Sequence, residues 1–237
     1  MITEQTTVGE VAGSIPGSIP LFQEYQIDFC CGGGRTVSEV CREKGISFDQ
    51  FLKRVTEAGE SQRDSRLSED WTAAPLSELI AHIVGRHHAY LNSELPRLAA
   101  MLAKVVGVHG SRHPESLLPL QTIYGKMKDE LEQHMWKEEN ILFPMIEQME
   151  AAKVEGKIVE AIPVRGPIQV MEMEHESAGH ALREIRRLTS DFQAPQDGCA
   201  TYRALFEGLK AFEADMHQHI HLENNILFPR AAKLQSE

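Results

Sequence analysis

After Trp71, apolar residues recur at helical spacing along most of the chain. Leu76, Leu79, Ile80, Ile83, Leu91, Leu95, Leu98 and Leu102 mark one face of a first long helix, which the segment Gly107 to Pro114 ends. Leu117, Leu120, Ile123, Met127 and Leu131 keep the same period in a second helix, from about Glu115 to Glu150. Ala151 to Pro167 contains two prolines and reads as a crossover loop, with a small hairpin placed at Lys157 to Pro163. A third helix takes Ile168 to about Phe192. The turn Ala194-Pro195-Gln196-Asp197-Gly198 then leads into a fourth, from Cys199 to about Leu234. Four long amphipathic helices with mostly short connections predict an all-α fold, an up-down-up-down four-helix bundle.

Before Trp71 the pattern is different. Short apolar clusters, several glycines, Pro16 and Pro20 predict three or four short helices, with Thr36 to Lys44 and Ser47 to Ala58 the clearest. The polar run Glu57 to Glu69 reads as a linker or a frayed helix end. Two domains are therefore expected: a small helical one with its linker over 1–66, and the bundle over 67–237.

The second and fourth helices carry a repeat. His134-Met-Trp-Lys-Glu138-Glu-Asn-Ile-Leu-Phe-Pro144 matches His219-Ile-His-Leu-Glu223-Asn-Asn-Ile-Leu-Phe-Pro229 at seven of eleven positions. Residues four apart lie on one helix face, so each pair offers an imidazole and a carboxylate to one point. One such pair is weak evidence in an acid-rich chain. His180 and Glu184 form a third, lack the surrounding repeat, and read as surface groups. The repeat is what distinguishes the other two.

A metal centre in a bundle also needs groups from the remaining helices. The third offers His175; the first offers His87 or His88, and periodicity allows either to face inward. Counted from the helix ends at 1.5 Å per residue, these histidines reach the depth of His134 and His219 to within a turn or two. Mixed imidazole and carboxylate donors inside a bundle suit iron or manganese, with carboxylates bridging two metals. A structural zinc site more often uses four donors, several of them cysteines. Without a metal, the burial of so many ionisable groups would be costly.

Cys30 and Cys31 precede a triple glycine, so the backbone there can turn tightly and leave both thiols accessible. Adjacent cysteines suit transient redox, metal or nitrosyl chemistry better than a structural bridge. Cys41 and Cys199 read as packing residues, as do Trp136, Phe143 and Phe228. His82, His217 and His221 flank the metal face and read as surface groups or neighbours of the ligands.

Composition narrows the partners. The 237 residues are 42% hydrophobic and 25% charged, enough for one sizeable core and a small second domain. The net charge of −11, with basic residues scattered, argues against nucleic acid and anionic membranes. No apolar run reaches about 18 residues, and Met1 to Gly13 lacks the basic and apolar regions of a signal peptide. With four cysteines and no disulfide framework, the expected location is the reducing cytoplasm. Histidine is the unusual item, with eleven in the chain.

The segment Asp28-Phe29-Cys30-Cys31-Gly32-Gly33-Gly34-Arg35-Thr36, followed by the two His-x3-Glu-x2-Ile-Leu-Phe-Pro repeats, resembles the repair-of-iron-centres family of di-iron proteins, the YtfE/ScdA/DnrN type. The likeness covers nearly the whole chain. It implies a hemerythrin-like bundle preceded by a small helical di-cysteine domain, and two non-haem iron ions, carboxylate-bridged and oxo-bridged when oxidised. It also implies His88, His134, His175 and His219 as terminal ligands, two per iron, with Glu138 and Glu223 bridging. His88 aligns with the family ligand because Leu95-Pro96 follows seven residues later, and His87 takes the place of an aromatic residue. Glu130 and Glu174 match acidic positions beside the family's site, where proton handling is expected. Glu130 stands one turn before His134, as Asp215 does before His219.

The function implied is repair of iron–sulfur clusters damaged by nitrosative or oxidative stress, through iron donation, nitric oxide binding and reduction, or both. Cys30 and Cys31 would form a redox or transfer arm. The partners implied are damaged iron–sulfur proteins and a diatomic, nitric oxide or oxygen, with a homodimer as a further candidate. The competing readings are a nitric oxide reductase proper and a non-catalytic sensor or store of oxygen, nitric oxide or iron. Classical hemerythrin, the oxygen carrier, uses an asymmetric set with a fifth histidine. Equal sets in the two halves here make oxygen carriage a poorer fit.

Overall fold

In the computed structural model, residues 2–63, 71–156 and 163–235 are described. Among them the regular structure is helical, apart from one isolated bridge between Thr7 and Thr36. No helix among the described residues is long and apolar enough to cross a membrane. The chain forms two compact units. One comprises Met1–Ala81, Ile146–Val164 and His217–Glu237; the other comprises His82–Met145 and Arg165–Met216.

The second of these units holds most of the bundle. Its helices are α6 (Ala89–His109), α7 (Pro114–Lys137), α9 (Arg165–Leu188) and the part of α10 (Ala200–Leu222) that ends at Met216. Tyr124 Oη donates to Leu95 O at 3.1 Å, whereas His88 meets Glu138. Partners that advance on one helix while retreating on the other mark α6 and α7 as antiparallel. α10 meets α6 the same way, through His109–Tyr202 ring contact, Leu98 against Gly208, and His87 against Asp215. A Cβ on Gly208 would stand 2.6 Å from Leu98 Cδ2, so glycine there lets the two helices close up. Arg186 of α9 grips the buried Glu213 of α10. Leu91, Leu95, Leu98, Leu102, Leu117, Leu120, Leu205 and Phe212 are almost fully buried between them, each stabilising the fold by about 1.5–3 kcal/mol relative to exposure. This is the helix packing that the apolar period predicts.

The first unit is built on capping. Thr7 with Glu10 and Thr36 with Glu39 form two capping boxes, which start α1 (Val8–Ser14) and α3 (Val37–Lys44). The bridge between Thr7 and Thr36 ties both starts together, with Val8 N–H donating to Arg35 O and Val37 N–H to Thr6 O. Phe22 of α2 (Ile19–Glu24), Phe29, and Phe51 of α4 (Phe48–Arg63) stack in the core with Val8, Val11 and Val40. Farther along, Glu150 of α8 (Phe143–Val154) accepts the Leu76 and Ser77 N–H groups at 2.6 and 2.9 Å, capping α5 (Leu76–His82). Arg230 of α11 (Phe228–Leu234) donates to the carbonyls of Trp71 and Ala74.

Several boundaries differ from the sequence reading. Gly107 lies inside α6, and the break comes at Gly110, with Pro114 opening α7 at a position where its missing N–H costs nothing. α9 stops at Leu188, not near Phe192, because Ser190, Asp191 and Phe192 adopt φ of 48°, 60° and 60°. That left-handed turn is supported by Phe192 N–H donating to Thr189 Oγ1 and by Arg186 pairing with Asp191. Trp136 is 59% exposed and Cys199 is exposed, so neither packs as expected; Phe143, Phe228 and Cys41 do. The proposed hairpin at 157–163 falls largely on residues outside those described, whereas the segment read as a linker or frayed helix end over 57–69 continues α4 as far as Arg63, its remainder lying outside the described residues.

Candidate metal centre

Among the described residues three π-helical segments interrupt the long helices, and each carries a candidate ligand. They are Ile83–His88, Glu138–Leu142 and Glu223–Leu227. The last two follow from the repeat. Pro144 and Pro229 lack an N–H and crowd the carbonyl four residues earlier, Asn140 and Asn225, each inside its π segment. Identical Phe-Pro endings thus impose the same local widening on both helices that carry the His-x3-Glu repeat.

Within the bundle unit, His88, His134, Glu138 and His175 are all buried, Glu138 completely. His88 Nε2 lies 3.4 Å and His134 Nε2 3.3 Å from the same oxygen, Glu138 Oε2. His175 Nε2 is 3.0 Å from His134 Nε2. The far side of each imidazole is also held. His88 Nδ1 meets Glu139 Oε1 at 2.8 Å, and His134 Nδ1 meets Glu174 Oε2 at 2.9 Å. A proton on each Nδ1 facing a carboxylate leaves Nε2 with its lone pair turned toward Glu138, the arrangement that suits a metal ligand. Lys137 also pairs with Glu174. The His134 hydrogen bond and the Lys137 ammonium outweigh partial burial and bring the Glu174 carboxyl down to about 2.

In the other unit, His219 and Glu223 lie on consecutive turns with Nε2 and Oε1 2.9 Å apart, both buried. The donor set therefore divides as His88, His134, Glu138 and His175 in one unit and His219 and Glu223 in the other. It is all imidazole nitrogen and carboxylate oxygen, the chemistry that suits iron or manganese rather than a thiolate site. A carboxylate as buried as Glu138 costs several kcal/mol unless a cation compensates it. The residues present thus fit a metal cation on the evidence of their own burial and orientation.

Other candidates fall in different places. Glu130 is exposed and pairs with Lys126 at 3.5 Å. It lines a cleft between α7 and α9, with Met127, Lys137, Met173 and Glu174, that reaches His134 and His175. Asp215 meets His87 Nδ1 at 3.1 Å, so both adjacent histidines of the first helix are buried, each on its own carboxylate. Glu139 escaped the sequence reading; its only signal was its place beside Glu138, where the other repeat has Asn224. His221 is buried, and burial takes its pKa down to about 4 against a hydrogen bond that it donates to the Phe29 carbonyl.

The di-cysteine loop departs from expectation in one respect. Cys31 is partly exposed, but Cys30 is buried at 4% exposure, so the two thiols are not equally accessible. Their sulfurs lie 3.8 Å apart and are not bonded. Asp28 Oδ1 accepts the N–H groups of Cys30, Cys31 and Gly32 at 3.2, 3.0 and 3.0 Å. Burial works to raise the Asp28 carboxyl, but the Gly32 N–H, the Cys30 thiol and His217 hold it below its usual value. Asp28, Cys30 and Cys31 bring one donor atom each to within 4.8 Å of one another.

Helices crossing in this way, with buried histidines aimed at glutamates four residues along, define a hemerythrin-like cation-binding protein. Residues 79–231 match the hemerythrin HHE cation binding domain, and residues 4–59 match ScdA_N, a domain of unknown function. The chain is 39% identical over 229 residues to the Haemophilus influenzae protein named "Probable iron-sulfur cluster repair protein", covering 95% of this chain and 96% of that one. It is 37% identical over 227 residues to the "Iron-sulfur cluster repair protein YtfE" of Yersinia pseudotuberculosis, and equally to that of Yersinia pestis, covering 96% of each chain. The chain belongs to the family of these two-domain hemerythrin-like proteins.

Proposed function

We propose that this chain repairs iron–sulfur clusters damaged by nitrosative or oxidative stress, working from two non-haem iron ions held by His88, His134, His175, His219, Glu138 and Glu223. The observation that carries the reading is the aim of His88 and His134, whose Nε2 atoms converge on one oxygen of the fully buried Glu138. The hemerythrin match supports the joint set, because it runs unbroken over both His-x3-Glu repeats. The names of the relatives support the biological role.

In this reading the four histidines and the carboxylates of Glu138 and Glu223 would hold the iron. When bound, iron supplies reducing electrons and open positions for a small diatomic such as nitric oxide. The protein's part is orientation and exclusion of water. Glu139 and Glu174 hold the Nδ1 protons of His88 and His134 and strengthen Nε2 as a donor. Met127 and Leu131 line the cleft beside His134 and keep it apolar, and the cleft past Met173 and Glu174 is the route by which a small molecule reaches it. Residues 1–66 form the di-cysteine domain, with Cys30 and Cys31 as the thiol arm, and 67–237 the iron-holding domain. The partners are damaged iron–sulfur proteins in the cytoplasm.

Anaerobic reconstitution with ferrous iron tests the proposal. About two irons per chain are expected, together with recovery of a damaged iron–sulfur enzyme that Glu138→Ala and Glu223→Ala abolish. Recovery that survives both substitutions overturns the iron mechanism, and a single zinc per chain overturns the ligand set. Nitrous oxide from added nitric oxide, without enzyme recovery, shows the chain to be a reductase instead.

A further inference from the structure

The two cysteines are neighbours in sequence, but the loop gives them different surroundings. Cys30 Sγ points inward, 3.3 Å from Asp28 Oδ1, and Cys31 Sγ stands at the partly exposed edge. Cys31, burial and the Asp28 carboxylate together push the Cys30 thiol well above the usual thiol value, which keeps it protonated and a poor nucleophile.

What holds the loop in that posture comes from the far end of the chain. The Asn225 carboxamide donates through Nδ2 to the carbonyls of Phe29 at 3.1 Å and Cys30 at 3.4 Å, and to His221 Nδ1 at 3.0 Å. Its Oδ1 lies against Gly9 and Gly33, and a Cβ on Gly33 would be 2.5 Å from it. Gly9 N–H donates to Gly33 O at 2.8 Å, and the Phe29 ring sits edge-on to His217 and His221. The glycines are therefore seats for Asn225 as well as turn residues. The repeat supplies an internal comparison. Asn140, in the matching position of the second helix, donates, among the described residues, to the carbonyl of Trp136 one turn back on its own helix, at 2.8 Å. The same residue type in the same π segment is thus diverted, in the fourth helix, to the cysteine loop.

We infer that Cys31 is the reacting thiol of the pair and Cys30 the shielded one, and that Asn225 is the positioning residue that enforces this order. The inference adds to the thiol arm proposed above, yet it rests on loop geometry and is read without iron or repair activity, so the two can fail separately.

N-ethylmaleimide is the probe. A thiol adds across its double bond, one S–C bond forms, the proton passes to the adjacent ring carbon, and nothing leaves. The full-length chain carrying Cys199→Ser removes the exposed competing thiol, and Cys41 is buried. Peptide mass spectrometry over a time course should show Cys31 modified about tenfold faster than Cys30. Asn225→Ala and Asn225→Leu should bring the two rates to within about twofold, by raising that of Cys30, whereas Asn140→Ala leaves the ratio unchanged. Asn225→Leu keeps roughly the shape of the side chain and loses its hydrogen bonds without adding a charge, so it carries the test if Asn225→Ala does not fold. Equal rates in the parent overturn the assignment of Cys31. A ratio unchanged in a folded Asn225→Leu variant, judged by its unfolding transition, overturns the role of Asn225.

Discussion

His134 and His175 face each other nitrogen to nitrogen, with Nε2 atoms 3.0 Å apart. His134 already offers its other nitrogen to Glu174, so its Nε2 presents a lone pair. Either a proton on His175 or a cation must lie between the rings.

A cation stabilises the fold by mass action, about 4 kcal/mol at a thousandfold excess over its dissociation constant. Adding ferrous iron to the chelated protein should therefore raise Tm by roughly 8 °C or more at this chain size. Differential scanning calorimetry of His134→Ala should show most of that increment lost. An undiminished increment would mean that His134 is not a ligand.

Glu138 sets function against stability. Its burial is costly without a cation. Glu138→Gln is expected to leave the metal-free protein as stable or more so, within about 2 kcal/mol, while abolishing iron binding. Chemical denaturation of both metal-free forms, with iron titration alongside, checks the two halves. A variant that keeps its iron shows that Glu138 is not needed to hold it.

The carboxylates behind the histidines should separate by their contacts. Glu174→Gln and Glu139→Gln lose the charge that orients His134 and His88, and should weaken metal affinity about 10- to 100-fold. Glu130→Gln, exposed and paired with Lys126, should change it less than about twofold. Competition against a chelator of known affinity measures all three. A large effect at Glu130 would restore it to the place that the sequence suggested.

Asp28 makes the thiol loop sensitive to acid. Its folded pKa lies below the unfolded value of about 3.9. Its contribution is therefore complete above that value and is lost as pH falls through the folded pKa. In urea titrations, the stability difference between the parent and Asp28→Asn should be largest near neutral pH and shrink below about pH 4. A difference constant down to pH 2 would show that Asp28 is not ionised in the fold.

A double-mutant cycle can isolate the contact between Asn225 and Gly33. Gly33→Ala places a methyl against a carboxamide already fixed by its hydrogen bonds, and should cost about 1–3 kcal/mol. In an Asn225→Ala background the same change should cost clearly less. Additive costs, measured by denaturant midpoints, would place the strain elsewhere.

What was legible in the sequence was local. Histidine and glutamate four apart share a helix face wherever that helix lies, and a capping box such as Thr36 with Glu39 needs only four residues. The choice between His87 and His88 was not legible from periodicity, because the π segment Ile83–His88 changes the angular step that periodicity assumes, and both residues are buried. The burial of Cys30 was also out of reach, because Asn225, which holds it, is 195 residues away in sequence. Trp136 shows the reverse failure: an aromatic next to a ligand reads as core, yet its side chain points to solvent.

The diverted asparagine bears on how the two halves of the repeat can change over generations. Trp136 and Asn140 stand at exposed positions, where most replacements cost little. Their counterparts His221 and Asn225 answer to a second segment of the chain and must change in step with Gly9 and Gly33. Of two helices that carry the same repeat, one is thereby free to drift and the other is tied to a distant segment of the chain. In bundles of this kind that lack the cysteine segment, position 225 should be as variable as position 140.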